Sequence, residues 1–133
     1  DEYPLVMTSG ARFWGMFHSE HRQIERMRHY RPWPLMEIHP DIAAKYGIKD
    51  GDWVWMEGPM GRAKRKAKLT PQMDRRMVSC DHGWWLPEGD PEKFYDVFDL
   101  NINNTLPWIP GKSGFGSNYK SSICKIYKVK DGE

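Results

Sequence analysis

The chain has 133 residues, 39% hydrophobic and 29% charged, a balance that excludes a disordered chain and leaves room for one domain with its own core but not two. Its net charge of +2 is too small to mark a nucleic-acid binder by itself, no apolar stretch approaches membrane-spanning length, and Asp1-Glu2-Tyr3-Pro4 is no signal peptide. Two cysteines, Cys80 and Cys124, rule out a disulfide framework and read as free thiols.

In chain order, Pro4 to Thr8 reads as a short strand, followed by the loop "SGARFWGMFHSEHR" (residues 9 to 22), which has no clear period. Ile24, Met27 and Arg28 predict a helical turn or two before Pro32 and Pro34 break it. Leu35 to Ile38 is a second strand. "HPDIAAKYGIKDGDWVW" (residues 39 to 55) follows: Pro40 opens a short helix, Ile42, Ala43 and Tyr46 give its apolar side, and Gly47 ends it. Asp50-Gly51 is a turn, and a strand containing Trp53, Val54, Trp55 and Met56 begins near Asp52. Gly58-Pro59-Met60-Gly61 turns the chain again. Ala63, Arg65, Ala67 and Leu69 then alternate with Arg62, Lys64, Lys66 and Lys68, which predicts a hairpin with one basic face. Met77 to Ser79 is a further strand, leading into the packed loop "CDHGWWLPEGDP". Residues 92 to 120 carry little regular pattern, and Ser122 to Val129 alternates as a final strand. Six or seven short strands with one clear helix predict an all-β barrel.

The chemistry-bearing residues concentrate in two loops, 9 to 22 and 101 to 120. Ser9, Gly10, Arg12, His18, Ser19, His21 and Arg22 place donors beside glycines where a backbone can approach a ligand, which suits phosphate or a polar heterocycle; a solvated loop with scattered charges is the plain alternative. His18, His21, His82 and Cys80 lack the paired spacing of zinc ligands. Arg62, Lys64, Arg65, Lys66 and Lys68 form a basic run able to follow a nucleic-acid backbone, with aromatics for stacking, or are simply the wet face of a strand. Trp84 and Trp85 stack on a planar ligand or fill core space. Asn101, Asn103 and Asn104 read a heterocycle edge or build Asx turns. No nucleophile with its base and no pair of catalytic carboxylates is apparent, so the chain by itself does not read as an enzyme.

Taken in order, "LVMTSGAR" with "FHSEHRQIERMR", then "MEIHPDIAAKYGIKDGDWVWMEGPMGRAKRKAKLT", "HGWWLPE", "NNTL", "SG" and "YKSSICKIYKV" resemble the C-terminal dinucleotide-binding domain of the molybdopterin oxidoreductases, the dimethyl sulfoxide reductase family. The resemblance covers nearly the whole chain and implies a six-stranded double-psi β-barrel. In it the 39 to 55 segment is a structural unit that keeps the barrel closed and touches no substrate.

The resemblance further implies that Thr8, Ser9, Gly10, Arg12, His18 and Ser19 hydrogen-bond a molybdopterin guanine dinucleotide around its pterin and phosphates. Asn104 matches a later asparagine, with Asn103 in its place under an alternative register, and Lys120 matches a basic residue near the end. Pro107 stands where many members have threonine, and "PGKSG" replaces an aspartate-proline start to the next loop. The parent enzyme implied is a molybdenum or tungsten oxidoreductase carrying two such cofactors. Residues 1 to 133 are then its C-terminal domain, a reading that the missing initiator methionine and the early first strand also fit. Its metal ligand lies in other domains of the parent chain, with an iron-sulfur electron-transfer subunit as a further partner, and neither nucleic acid nor membrane insertion is implied. "HGWWLPE" and "FHSEHRQI" look closest to the subgroup that includes polysulfide or thiosulfate reductases and acetylene hydratase. A free-standing double-psi barrel that binds protein or nucleic acid through its basic hairpin is the competing reading.

Overall fold

In the computed structural model, residues 2–9, 13–112, 114 and 121–133 are described. Six strands, β1 (Leu5–Ser9), β2 (Leu35–Ile38), β3 (Trp53–Gly58), β4 (Gly61–Leu69), β5 (Met77–Cys80) and β6 (Ser122–Lys128), close into a barrel in the order β1-β5-β2-β4-β3-β6. β1 lies parallel to β5 and β2 parallel to β4, and every other neighbouring pair is antiparallel. This is the all-β barrel that the short alternating runs predict, with the six strands that the resemblance implies.

The registers divide the barrel into two rims. Ser9 pairs with Cys80, Met36 with Cys80, Met7 with Ser122 and Gly58 with Gly61. The ends of β1, β3 and β5 therefore share one rim with the starts of β2, β4 and β6. We call this the loop rim, because the 10–34 and 81–121 segments leave from it.

At the opposite rim sits the helix α2 (Pro40–Lys45) with the turn that follows it. His39 caps its start, its side chain accepting from the Asp41 amide at 3.1 Å. Its end is a complete Schellman motif: the Ile48 amide donates to the Ala43 carbonyl at 2.8 Å and the Gly47 amide to that of Ala44 at 3.1 Å, with Gly47 at φ +65°. Ala43 and Ile48 both pack into the barrel core. The turn then braces β4: the Asp50 carboxylate accepts from the Leu69 amide at 2.7 Å and the Gly51 amide donates to the Ala67 carbonyl at 2.8 Å. This unit ties the barrel shut far from the loop rim.

The interior is filled by Met7, Met36, Ile38, Val54, Met56, Val78, Cys124 and Ile126, with Ile102 entering from the 81–121 segment. Cys80 and Cys124 are buried free thiols. Alternation along β4 turns Ala63, Arg65 and Ala67 inward, all buried. Arg65 is thus not a member of the basic run in which the sequence counts it. That face comprises Arg62, Lys64, Lys66 and Lys68.

Two further differences stand out. The short helix α1 (Glu25–Arg28) buries none of its residues. Residues 91 to 105, patternless in sequence, contain 3-10 turns at Pro91–Asp96 and Ile102–Thr105 flanking a helical turn α3 (Val97–Leu100). Phe94, Tyr95 and Asp96 have φ of 51°, 55° and 61°, a left-handed run that L residues adopt only when tertiary contacts impose it. One such contact is the Leu86 amide donating to the Tyr95 carbonyl at 2.9 Å. Leu100 joins Met16 and Trp84 in a second, smaller core under the loops, against Phe13, Met27 and Leu86.

Candidate functional site

Every described residue that the resemblance singles out lies at the loop rim. Thr8 and Ser9 end β1 opposite Ser79 and Cys80. Gly10, Arg12 and Lys120 lie outside the described residues. His18 and Ser19 are pressed against the 80–86 loop: His18 Nδ1 lies 3.1 Å from His82 Nε2, and the Trp85 indole donates to the Ser19 carbonyl at 2.5 Å. Gly83, at φ +60°, permits this approach. A Cβ there would sit 3.1 Å from the Ser19 nitrogen.

Arg22, one of the first-loop donors in the sequence but not among the residues the resemblance singles out, fastens the two loops. Its guanidinium is buried, lies 4.0 Å over the Trp84 ring, and donates to the carbonyls of His18 at 2.8 Å, Glu20 at 3.3 Å and Gly83 at 3.2 Å, and to the Met16 sulfur. Trp84 is therefore a core residue stacked by a cation, as one of its two sequence readings has it. Burial pulls the Arg22 pKa down to about 10, against the raising effect of Asp81. It remains charged at neutral pH.

Asp81 is a second fastener that the sequence reading did not single out. It forms an ion pair with Arg31, accepts from the Leu35 amide at 3.0 Å, and its own amide donates to the Leu35 carbonyl at 3.1 Å. The 80–86 loop is thereby fixed to the start of β2. Arg28 and Glu88 add a bidentate pair at 2.7 and 2.8 Å.

Asn104 spends its amide donor on α3, giving to the Phe98 carbonyl at 2.6 Å and reaching that of Val97 at 3.4 Å. Its backbone carbonyl lies 2.8 Å from where a Gly61 Cβ would stand. So Asn104 sits at the loop rim beside the β3–β4 turn, with its side-chain oxygen as the group left for a ligand. Asn103 is exposed.

Among the described residues, the buried side-chain nitrogen and oxygen atoms without a hydrogen-bond partner are all donors. These are Arg22 Nε, Trp84 Nε1 and all three guanidinium nitrogens of Arg65. A buried cation without an anion costs several kcal/mol, and Cys80 supplies no countercharge, because burial pushes its thiol up to about 12 despite nearby Arg65. Between the loops a cavity of about 10 Å³ is bounded by Phe13, His18, Arg22, Asp81, His82 and Trp84, room for about one water. The orphaned donors are too buried to touch a ligand, but the uncompensated charge of Arg65 favours an anionic group nearby, and a dinucleotide pyrophosphate is of that chemistry.

Elsewhere the candidates disperse. His18 and His82 meet, but among the described residues no group of three or more His, Cys, Asp or Glu is placed to hold a metal ion. On the hairpin's basic face the cations engage the protein's own rings and carboxylates. Arg62 lies 3.9 Å from the Trp55 ring centroid, Lys66 lies 4.9 Å from Trp33 and 5.2 Å from Trp53, and Lys68 pairs with Glu37 at 3.3 Å. Of these rings Trp55 is buried, while Trp33 and Trp53 are half-buried. No helix among the described residues is long and apolar enough to cross a membrane.

Comparison with known proteins accords with this geometry. Residues 5–107 match the family model described as the molydopterin dinucleotide binding domain. The chain is similar to dopamine dehydroxylase of Eggerthella lenta, 45% identical over 132 residues, covering 96% of this chain and 13% of that protein. It is also similar to acetylene hydratase of Syntrophotalea acetylenica, 34% identical over 93 residues, covering 68% of this chain and 13% of that one. Among solved structures, acetylene hydratase from Pelobacter acetylenicus superposes with a TM-score of 0.88 at 28% identity, over 96% of this chain and 19% of that chain. The chain thus spans about an eighth of the length of the curated relatives it matches. It belongs to the molybdopterin dinucleotide-binding domain family, the domain shared by oxidoreductases of the dimethyl sulfoxide reductase type.

Proposed function

We propose that this chain is the C-terminal domain of a larger molybdenum or tungsten oxidoreductase and that its loop rim holds one side of a molybdopterin guanine dinucleotide. The observation that supports this best is the set of orphaned buried donors beneath the two fastened loops, in a chain whose family takes a cofactor of that anionic class.

Each residue has a role in this reading. Thr8 and Ser9 present hydroxyls and backbone amides at the end of β1. Gly10 and Arg12, next in sequence, add close backbone approach and a guanidinium for pyrophosphate oxygens. His18 and Ser19 present the rim of the first loop, Asn104 offers its side-chain oxygen to the pterin edge, and Lys120 adds a second cation. The bound cofactor supplies the metal-centred redox chemistry, while the domain binds, orients and shields it from water. The remaining domains of the parent chain close over the other side, and an iron-sulfur subunit exchanges electrons with it.

The test is metal and pterin analysis of the full-length parent purified without oxygen. Molybdenum or tungsten with a guanine-bearing pterin is expected, and Arg12→Ala or His18→Ala lowers the cofactor content while the barrel still folds. A folded parent from a cofactor-competent host that carries neither metal nor pterin would sink this reading.

A further inference from the structure

Arg65 occupies a position where the alternation of β4 calls for an apolar residue. Its inward neighbours along the strand are Ala63 and Ala67, small enough to leave its long side chain room, and it is 0% exposed. None of its guanidinium nitrogens meets an acceptor among the described residues. The charged or titratable groups that act on it most are Cys80 and Asp81, both at the loop rim, and Arg65 in turn acts on Arg22. Arg22 lies within the fields of Arg28, Arg31 and Arg65 and of Asp81, which is committed to Arg31, while Glu88 is committed to Arg28. Positive charge is left over beneath the loops.

Building on the cofactor-binding reading, we propose that Arg65 is a buried positive charge whose field favours a phosphate-type oxyanion seated at the loop rim. The geometry makes this a field effect rather than a contact. A fully buried guanidinium does not reach out to a ligand, yet its charge acts through the low-dielectric barrel interior with little screening by salt. Arg22, with Nε unbonded, is a second buried cation under the same loops and lines the cavity between them. Arg65 is accordingly a positioning residue, costly to the free domain and favourable only when the anion is present.

That asymmetry gives the test two readouts of opposite sign. The full-length protein is prepared as wild type, Arg65→Met and Arg65→Lys, from a cofactor-competent host and from one unable to assemble the cofactor. In cofactor-free protein, Arg65→Met raises the thermal midpoint, because an apolar side chain of similar length replaces a stranded charge. In the loaded protein the same variant retains about tenfold less pterin after dialysis, and Arg65→Lys, which keeps the charge, recovers much of it. A lower cofactor-free midpoint with wild-type pterin retention would overturn the proposal, making Arg65 a purely structural core residue.

A second arm uses inorganic pyrophosphate on the cofactor-free protein. A rise in the wild-type midpoint that Arg65→Met abolishes supports an oxyanion site even if the wild-type parent carries no pterin, the outcome that removes the cofactor reading alone. Equal pyrophosphate shifts in both proteins, with equal pterin retention, would remove Arg65 from the site.

Discussion

At the scale of single residues, two glycines with nearly the same backbone conformation do different work. Gly47 has φ +65° and a Cβ there would meet nothing within 4 Å, whereas Gly83 has φ +60° and a Cβ would press on Ser19 and His18. Gly47→Ala therefore tests conformational strain alone and is expected to cost about 1–2 kcal/mol. Gly83→Ala adds the displacement of the His18–Ser19 segment and is expected to cost more, while also weakening the bond from the Trp85 indole to the Ser19 carbonyl. Thermal denaturation of the two variants gives the ranking, and tryptophan fluorescence reports the loop contact. Equal losses in both, with unchanged fluorescence, would mean that the two loops are not fastened at Gly83.

At the scale of elements, the segment from α2 to β3 shows why some of this fold was readable and some was not. Pro40, Gly47 and Gly51 act within a few residues of themselves, so the helix, its Schellman end and the turn follow from sequence alone. The same turn gives a pH prediction. Asp52 accepts from the Lys49 amide at 2.8 Å and pairs with Lys128 at 3.0 Å, and these hold its carboxyl below the ordinary carboxylate range, the Lys49 bond first. A depressed carboxyl contributes stability that is present above its unfolded pKa of about 4 and is lost as pH falls through the folded value. Asp52→Asn keeps an acceptor but loses the charge, so it should lower stability at neutral pH by about 0.5–1 kcal/mol, the gap closing as pH is lowered below about 4. A gap that persists at low pH would assign the loss to hydrogen-bond geometry instead. By contrast, Phe94, Tyr95 and Asp96 adopt left-handed φ where the Tyr95 carbonyl accepts from the Leu86 amide and the Tyr95 ring meets that of Trp85. No local propensity announces such a run. Arg65 falls between these cases: alternation gave its inward side, but reading it with its basic neighbours hid the fact that it is a buried charge.

At the scale of the whole molecule, the barrel separates the loop rim, where the proposed cofactor site lies, from the rim that braces it. The loop rim carries Ser9, His18, Ser19, Arg22, His82 and Asn104, and the opposite rim carries α2 and the Asp50–Asp52 turn. The family could be recognised from the bracing rim, whose motif is contiguous, while the loop rim is assembled from residues far apart in sequence, with the His18–His82 and Ser19–Trp85 contacts spanning 64 and 66 positions. Hydrogen exchange can test this division. A ligand that binds only the folded, closed form slows those amides whose exchange requires the site to open, while amides that exchange by local fraying elsewhere are unaffected. In the full-length protein, cofactor loading is therefore expected to slow exchange in residues 13–22 and 80–86 and to leave unchanged those amides of α2 and the Asp50–Asp52 turn that exchange by local opening. Slowing confined to the α2 rim would move the ligand to the other end of the barrel, and no slowing at either rim would mean that the domain makes no contact with cofactor. The loop fasteners sharpen the prediction: Arg22→Met removes the donors to His18, Glu20 and Gly83 and should speed exchange in both loops of the cofactor-free protein, with α2 acting as the internal control.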